Sequence, residues 1–277
     1  MTFVLSFRDA KRERGGPVLP GRLRKVGGGD ERLAENELTA SADVVFLLHG
    51  FNVPRSRGEQ TLLKLAQLLP GLAGAAVVAC LWPGDHWTRA ASYSFEGDDA
   101  DLAAAELVRF ITRVLAPGTV VSFAAHSLGC RVALRAVRDL PPAYPVGEMA
   151  LMAAAVDDYS LAWERGFRAA AERCRRAAVL ASRKDPVLRF AYPAGDLLQA
   201  FTFFWRESAG LALGYHGPRG HEATRAVVPD TVFHEQIPDS RGVSHGSYLP
   251  AQSPTAEQQA AARWTEAVLT GKPDPRY

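Results

Sequence analysis

From Asp43 onward the chain alternates short runs that are apolar throughout with longer stretches whose apolar residues recur every three or four positions. The runs are VVFLLH (44–49), AAVVACLW (75–82), VVSFAA (120–125), MALMAAAV (149–156) and AAVLAS (177–182). A strand with one wet face shows apolar residues at every second position, whereas unbroken runs belong to strands covered on both faces. Leu62, Leu65, Ala66 and Leu69 have helical spacing and stop at Pro70–Gly71. DDADLAAAELVRFITRVLAPG (98–118) repeats the design, with aspartates at the end where the helix dipole favours them. Further helices are predicted at 128–139 and 256–270, an early edge strand in TFVLSFR (2–8) and a late one in TVFHEQI (231–237). The alternation predicts an α/β protein: a mostly parallel central sheet with crossover helices on both faces.

Two regions fall outside this rhythm. Residues 1 to about 42 are rich in Pro, Gly and charge and read as an N-terminal arm with edge strands. Residues 186 to about 228, including FTFFWRESAGLALGYHGPRGH, have no clean period; such a segment fits a lid or pocket wall, and equally a peripheral excursion. No stretch has linker composition, so residues 1–277 are expected to form a single domain.

Composition narrows the function classes. With 47% hydrophobic and 22% charged residues the chain can bury a large core. A net charge of +2 implies no strong pull toward nucleic acid or an anionic membrane. Lys11, Arg12, Arg14, Arg22, Arg24 and Lys25 are interleaved with acids and lack the aromatic spacing of a base-stacking surface. A solvated, partly flexible arm is expected there, with no nucleic-acid partner. No apolar stretch reaches the ~18 residues of a membrane span, and the run before Arg8 is too short for a secretion signal. A cytoplasmic protein without an integral membrane segment is expected. Cys80, Cys130 and Cys174 are too few and too irregularly spaced for a disulfide framework or a zinc knuckle and read as free buried thiols.

The chemistry centres on FAAHSLGCRVAL (123–134), where Ser127 follows a buried-type strand and opens a helix, the setting of a nucleophile elbow. The turn leaves little room two residues either side; Gly129 fits, and Ala125 stands where glycine is usual. The amide of Leu128 then points from the helix N-terminus toward any oxyanion formed there. LLHGFNVP (47–54) offers a second donor, the amide of Phe51 or Asn52.

A serine needs a base and the base an orienting acid, which at this elbow follow on loops after later strands. Among His216, His221, His234 and His245, the last lies in a glycine-flanked loop after the final strand and is the expected base. Asp185, followed by Pro186, is the favoured acid, with Asp157 and Asp158 as competitors whose other reading is helix capping. His49, Asn52, Trp82 and His126 are candidate pocket or packing residues. Trp87, Tyr93, Phe203, Phe204 and Trp205 are candidates for an apolar pocket or for core. The histidines and acids form no spaced metal set, and the glycine runs lack a phosphate-loop context, so no metal or cofactor is expected.

HGFNV, LWPGD, AHSLGCRVAL, SRKDPVL and HGSYL together resemble the α/β-hydrolase superfamily, and within it a bacterial HGFN-type family of uncharacterised α/β hydrolases, over about residues 43–250. The resemblance implies an α/β-hydrolase fold with Ser127 as nucleophile, Asp185 as acid and His245 as base. Leu128 stands where that family often has methionine, and a glycine separates His245 from Ser247. The expected function is a serine hydrolase acting on a small-molecule carboxyl ester or thioester. The rivals are an inactive scaffold that binds a ligand or protein, and an elbow enzyme of different chemistry, such as acyl transfer to an alcohol or lyase action.

Overall fold

The computed structural model describes residues 1–84, 93–191, 211–221 and 224–277, with the side chains of 93–98 and 190–191 outside that description. Eight strands form one sheet: β1 (Thr2–Ser6), β2 (Arg22–Lys25), β3 (Asp43–Leu48), β4 (Ala76–Leu81), β5 (Val120–His126), β6 (Val146–Met152), β7 (Cys174–Ala181) and β8 (Val232–Gln236). Their order is β2-β1-β4-β3-β5-β6-β7-β8. The β1–β2 pair is antiparallel, and every other neighbouring pair is parallel.

The continuous apolar runs are explained by cover on both faces. Along β3, Val44, Phe46 and Leu48 join one core layer, while Val45 and Leu47 join the other. The first layer is closed by helices α1 (Glu31–Thr39), α3 (Tyr93–Val114), α4 (Gly129–Asp139) and α5 (Arg168–Arg173). The second is closed by α2 (Arg55–Gln67) and, after the four-residue α6 (Leu213–His216), by the C-terminal helix α7 (Ala256–Leu269). Phe46 and Phe123 stack at 5.6 Å between ring centroids in the middle strands, and burying each contributes roughly 1.5–3 kcal/mol.

Two elements near the N-terminus depart from the sequence expectation of a solvated arm. Asp30 caps α1 by accepting from the Leu33 amide at 2.7 Å, and Ala34 and Leu38 turn into the core. The basic stretch beyond β1 packs on the body of the protein. The buried Arg8 guanidinium donates to the carbonyls of Val53 at 3.0 Å, Trp82 at 3.3 Å and Glu13 at 3.1 Å. Arg14 donates to the Asn52 side chain at 2.8 Å, and Glu13 accepts from the Ser56 amide at 2.8 Å. Residues 8–14 are therefore a strap over the loop between β3 and α2. All three cysteines are buried and free. No helix among the described residues is long and apolar enough to cross a membrane.

Candidate active site

Strand β5 ends at His126, and Ser127 turns the chain with φ +54 before α4 begins at Gly129. A left-handed φ costs a residue with a side chain ~1–2 kcal/mol, so the turn persists only because its surroundings hold it. The Ser127 amide donates to Met152 O at 3.0 Å, and its carbonyl accepts from the amides of Cys130 at 3.0 Å and Ala155 at 3.2 Å. Two glycines make room. A Cβ on Gly129 would lie 2.3 Å from the His49 carbonyl oxygen, and one on Gly50 would lie 2.8 Å from Ser127 Cβ. Beneath the turn, Arg131 of α4 holds both carboxylate oxygens of Asp101 on α3 at 3.0 Å each.

The loops after β7 and β8 bring the remaining side chains in. Asp185 is fully buried, and its Oδ1 accepts from the amides of Val187 at 3.0 Å and Leu188 at 3.1 Å. It acts as the cap of the helical turn Val187–Ala191, with Pro186 at the first position, where its missing N–H is no loss. Pro186 thus begins a helical turn directly after Asp185. His245 Nδ1 donates to Asp185 Oδ2 at 2.7 Å, and Ser127 Oγ lies 2.9 Å from His245 Nε2. One proton on His245 satisfies both contacts: Nδ1 carries it, and Nε2 accepts from the serine hydroxyl.

The competing acids lie elsewhere. Asp158 is buried against Arg219 at 2.8 Å, and burial outweighs that partner to push its carboxyl up. Asp157 is bridged to Ala212. His221 stacks on Trp163 at 5.2 Å, and His234 lies within β8.

His126 is buried, and its Nε2 lies 3.0 Å from the main-chain oxygen of His245. Because a carbonyl only accepts, Nε2 carries the proton. Burial first, then repulsion from His245 and His49, holds the His126 pKa well below the ordinary value, so the ring stays neutral.

His49 is locked behind the site. Its Nε2 accepts from the Trp82 amide at 3.3 Å, its Nδ1 donates to Gly50 O at 2.8 Å, and its carbonyl accepts from Trp82 Nε1 at 2.9 Å. Trp82, a pocket candidate by sequence, is fully buried beneath His49 instead of lining the cavity. The Asn52 amide donates to Gly84 O at 2.5 Å, which removes it as an oxyanion donor. The Leu128 amide meets no acceptor among the described residues. Phe51 packs partly buried against the core.

Residues 30–192 match the family described as alpha/beta hydrolase of unknown function (DUF900). The chain belongs to that family. The DUF900 match takes in HGFN, the serine turn and Asp185, while His245 lies beyond it. No curated protein matches the chain. Among solved structures, it is similar to esterase PE8 (14% identity, 84% of this chain and 95% of that one, TM-score 0.42). It is also similar to an esterase of Rhizomucor miehei (13%, 90% and 76%, TM-score 0.44). A third is LpqC, a poly(3-hydroxybutyrate) depolymerase from Bordetella parapertussis (16%, 83% and 78%, TM-score 0.41).

A cavity of about 810 Å³ opens over the candidate site, with His49, Phe51, Asn52, His126 and His245 in its wall. It continues along α2. Trp87, Phe203, Phe204, Trp205 and the Tyr93 side chain lie outside the described residues, as does about half of the segment read as a lid or pocket wall. No cluster of three or more potential metal ligands occurs among the described residues.

Proposed function

We propose that the chain is a serine hydrolase cleaving a carboxyl ester or thioester through an acyl-enzyme. The observation that carries this reading is the unbroken relay from Asp185 through His245 to Ser127, with contacts of 2.7 and 2.9 Å. It ends on a hydroxyl held at a strained turn. Strain at a single functional side chain, maintained by the surrounding structure, is the usual signature of a pre-organised nucleophile.

In the first half-reaction His245 Nε2 takes the Ser127 proton as Oγ bonds to the substrate carbonyl carbon. Asp185 holds the imidazolium that results. The negative charge moves to the carbonyl oxygen, which the amides of Leu128 and Phe51 stabilise. Collapse of the tetrahedral intermediate breaks the bond to the leaving alcohol or thiol, which departs with the proton from His245. Water, giving a proton to the same nitrogen, then attacks the acyl-serine, and the second collapse releases the acid and restores Ser127. The neutral state of His126 suits this cycle, because a second cation beside His245 would oppose formation of the imidazolium.

Intact-mass labelling with a fluorophosphonate tests the reading without choosing a substrate. One adduct is expected on the wild type and none on Ser127→Ala, with labelling slowed at least about a hundredfold in His245→Ala. No adduct on the folded wild type, or an adduct that persists in Ser127→Ala, overturns the reading and favours a binding scaffold.

A further inference from the structure

The cavity has one wall that the proposed chemistry does not use. Arg57, Gln60, Thr61, Lys64 and Gln67 of α2 all face it. Their offsets of three, four, seven and ten residues from Arg57 place them in one stripe along the helix. The opposite side of α2 carries Gly58, Leu62 and Leu65 into the core, so the orientation of the stripe is fixed by packing. Across from it stand Leu249, Pro250, Ala251 and Gln252, in the chain that follows His245.

The charge of this wall is one-sided. Arg57 and Lys64 are cations, and no Asp or Glu belongs to the described lining of the cavity. Neither cation forms an ion pair with a described residue. Nearby acids are already engaged: Glu59 with Arg24 and Glu13 with Ser56. Seven residues of helix separate Arg57 from Lys64 by about 10 Å along the axis. A groove whose described lining has two cations without a described ion-pair partner, several amide side chains and no carboxylate favours anions over cations.

We infer that α2 selects substrates bearing a negative charge, with Arg57 and Lys64 reading a carboxylate or phosphate set apart from the scissile carbonyl. This inference rests on the hydrolase reading for the position of the bond to be cut, and it names the substrate class of that site. Arg57 and Lys64 are specificity residues that make no contribution to the bond chemistry. The charge belongs to the acyl side or the leaving-group side of the ester, and the two are separable by experiment.

The test compares matched esters: 4-nitrophenyl hexanoate with the mono-4-nitrophenyl ester of adipic acid, and methyl 4-acetoxybenzoate with 4-acetoxybenzoate. The wild type is expected to prefer the anionic member of at least one pair in kcat/KM, by about tenfold. That preference should shrink as salt is raised. Arg57→Gln/Lys64→Gln is expected to lose it through KM while turning over the neutral ester as before. Which pair shows the effect assigns the charge to acyl or leaving group. In parallel, monomethyl adipate and methyl hexanoate are titrated calorimetrically into Ser127→Ala, with and without the two α2 changes. Turnover of both members at equal kcat/KM overturns the inference and leaves the hydrolase reading standing. Absence of turnover, with selective binding of monomethyl adipate that the α2 changes abolish, overturns the hydrolase reading and supports the anion site. Absence of both removes both.

Discussion

His126 Nε2 donates to the main-chain oxygen of His245 at 3.0 Å, so the residue preceding Ser127 holds the loop that presents the proposed base. The two rings lie 4.8 Å apart. His126→Phe keeps the bulk and removes the donor, freeing the loop to drift from Ser127. The expected result is a fall in kcat of about tenfold, the worth of one buried hydrogen bond, with KM little changed. His126→Gln retains an N–H and should recover part of the loss. Equal effects of the two variants on kcat and KM would reduce His126 to packing.

The neutral state of His126 also sets a direction for acid sensitivity. Its folded pKa is depressed by burial and by neighbouring histidines, so the unfolded chain binds a proton that the folded chain does not. Stability is then full above about pH 6.5 and falls as pH drops below it, by up to ~1.4 kcal/mol per pH unit for one such proton. His234, on the exposed edge strand β8, is shifted the same way. Urea midpoints between neutrality and about pH 5, above the carboxylate range, should fall for the wild type and fall less steeply for His126→Gln. Parallel slopes would remove His126 as the source.

Ser127 occupies a φ of +54, which suits glycine and not a residue with a Cβ. Ser127→Gly and Ser127→Ala should both be inactive, yet Ser127→Gly should be the more stable by ~1 kcal/mol, a rise of about 2–4 °C in melting temperature. Calorimetry on the pair measures the strain stored at the turn; equal melting temperatures would mean that none is stored.

Gly129 is where the turn and the His49 loop meet most closely. With a Cβ placed 2.3 Å from a backbone oxygen, Gly129→Ala has to push the His49–Gly50 peptide away. Destabilisation of ~1–3 kcal/mol is expected from overpacking, together with slower fluorophosphonate labelling because the proposed Phe51 donor belongs to that loop. Labelling at the wild-type rate would show that the loop absorbs the methyl without displacing the site.

Much of this fold was legible because β3 to β7 are buried on both faces, and such strands have to be written as unbroken apolar runs. β2 was not, since only Leu23 of its four residues is buried, and an edge strand of arginines and lysine has no period to find. α1 escaped notice for a related reason: it commits only Ala34 and Leu38 to the core. Ser127, Asp185 and His245 stand out in sequence because each sits on a loop or turn that follows a strand, and all three lie within hydrogen-bond reach. The roles of Arg8, His49 and Trp82 were hidden because their bonds run largely to backbone groups, and a main-chain carbonyl leaves no signature in the identity of its residue.

The family match begins at residue 30, but β4 owes one of its two hydrogen-bonded flanks to β1, which precedes it. A chain trimmed to the matched segment would leave Val78 and Cys80 on an open, wholly apolar edge, since all six residues of β4 are buried. Such an edge is a template for pairing with another molecule. The first strand thus protects the molecule from self-association while its continuation straps the site.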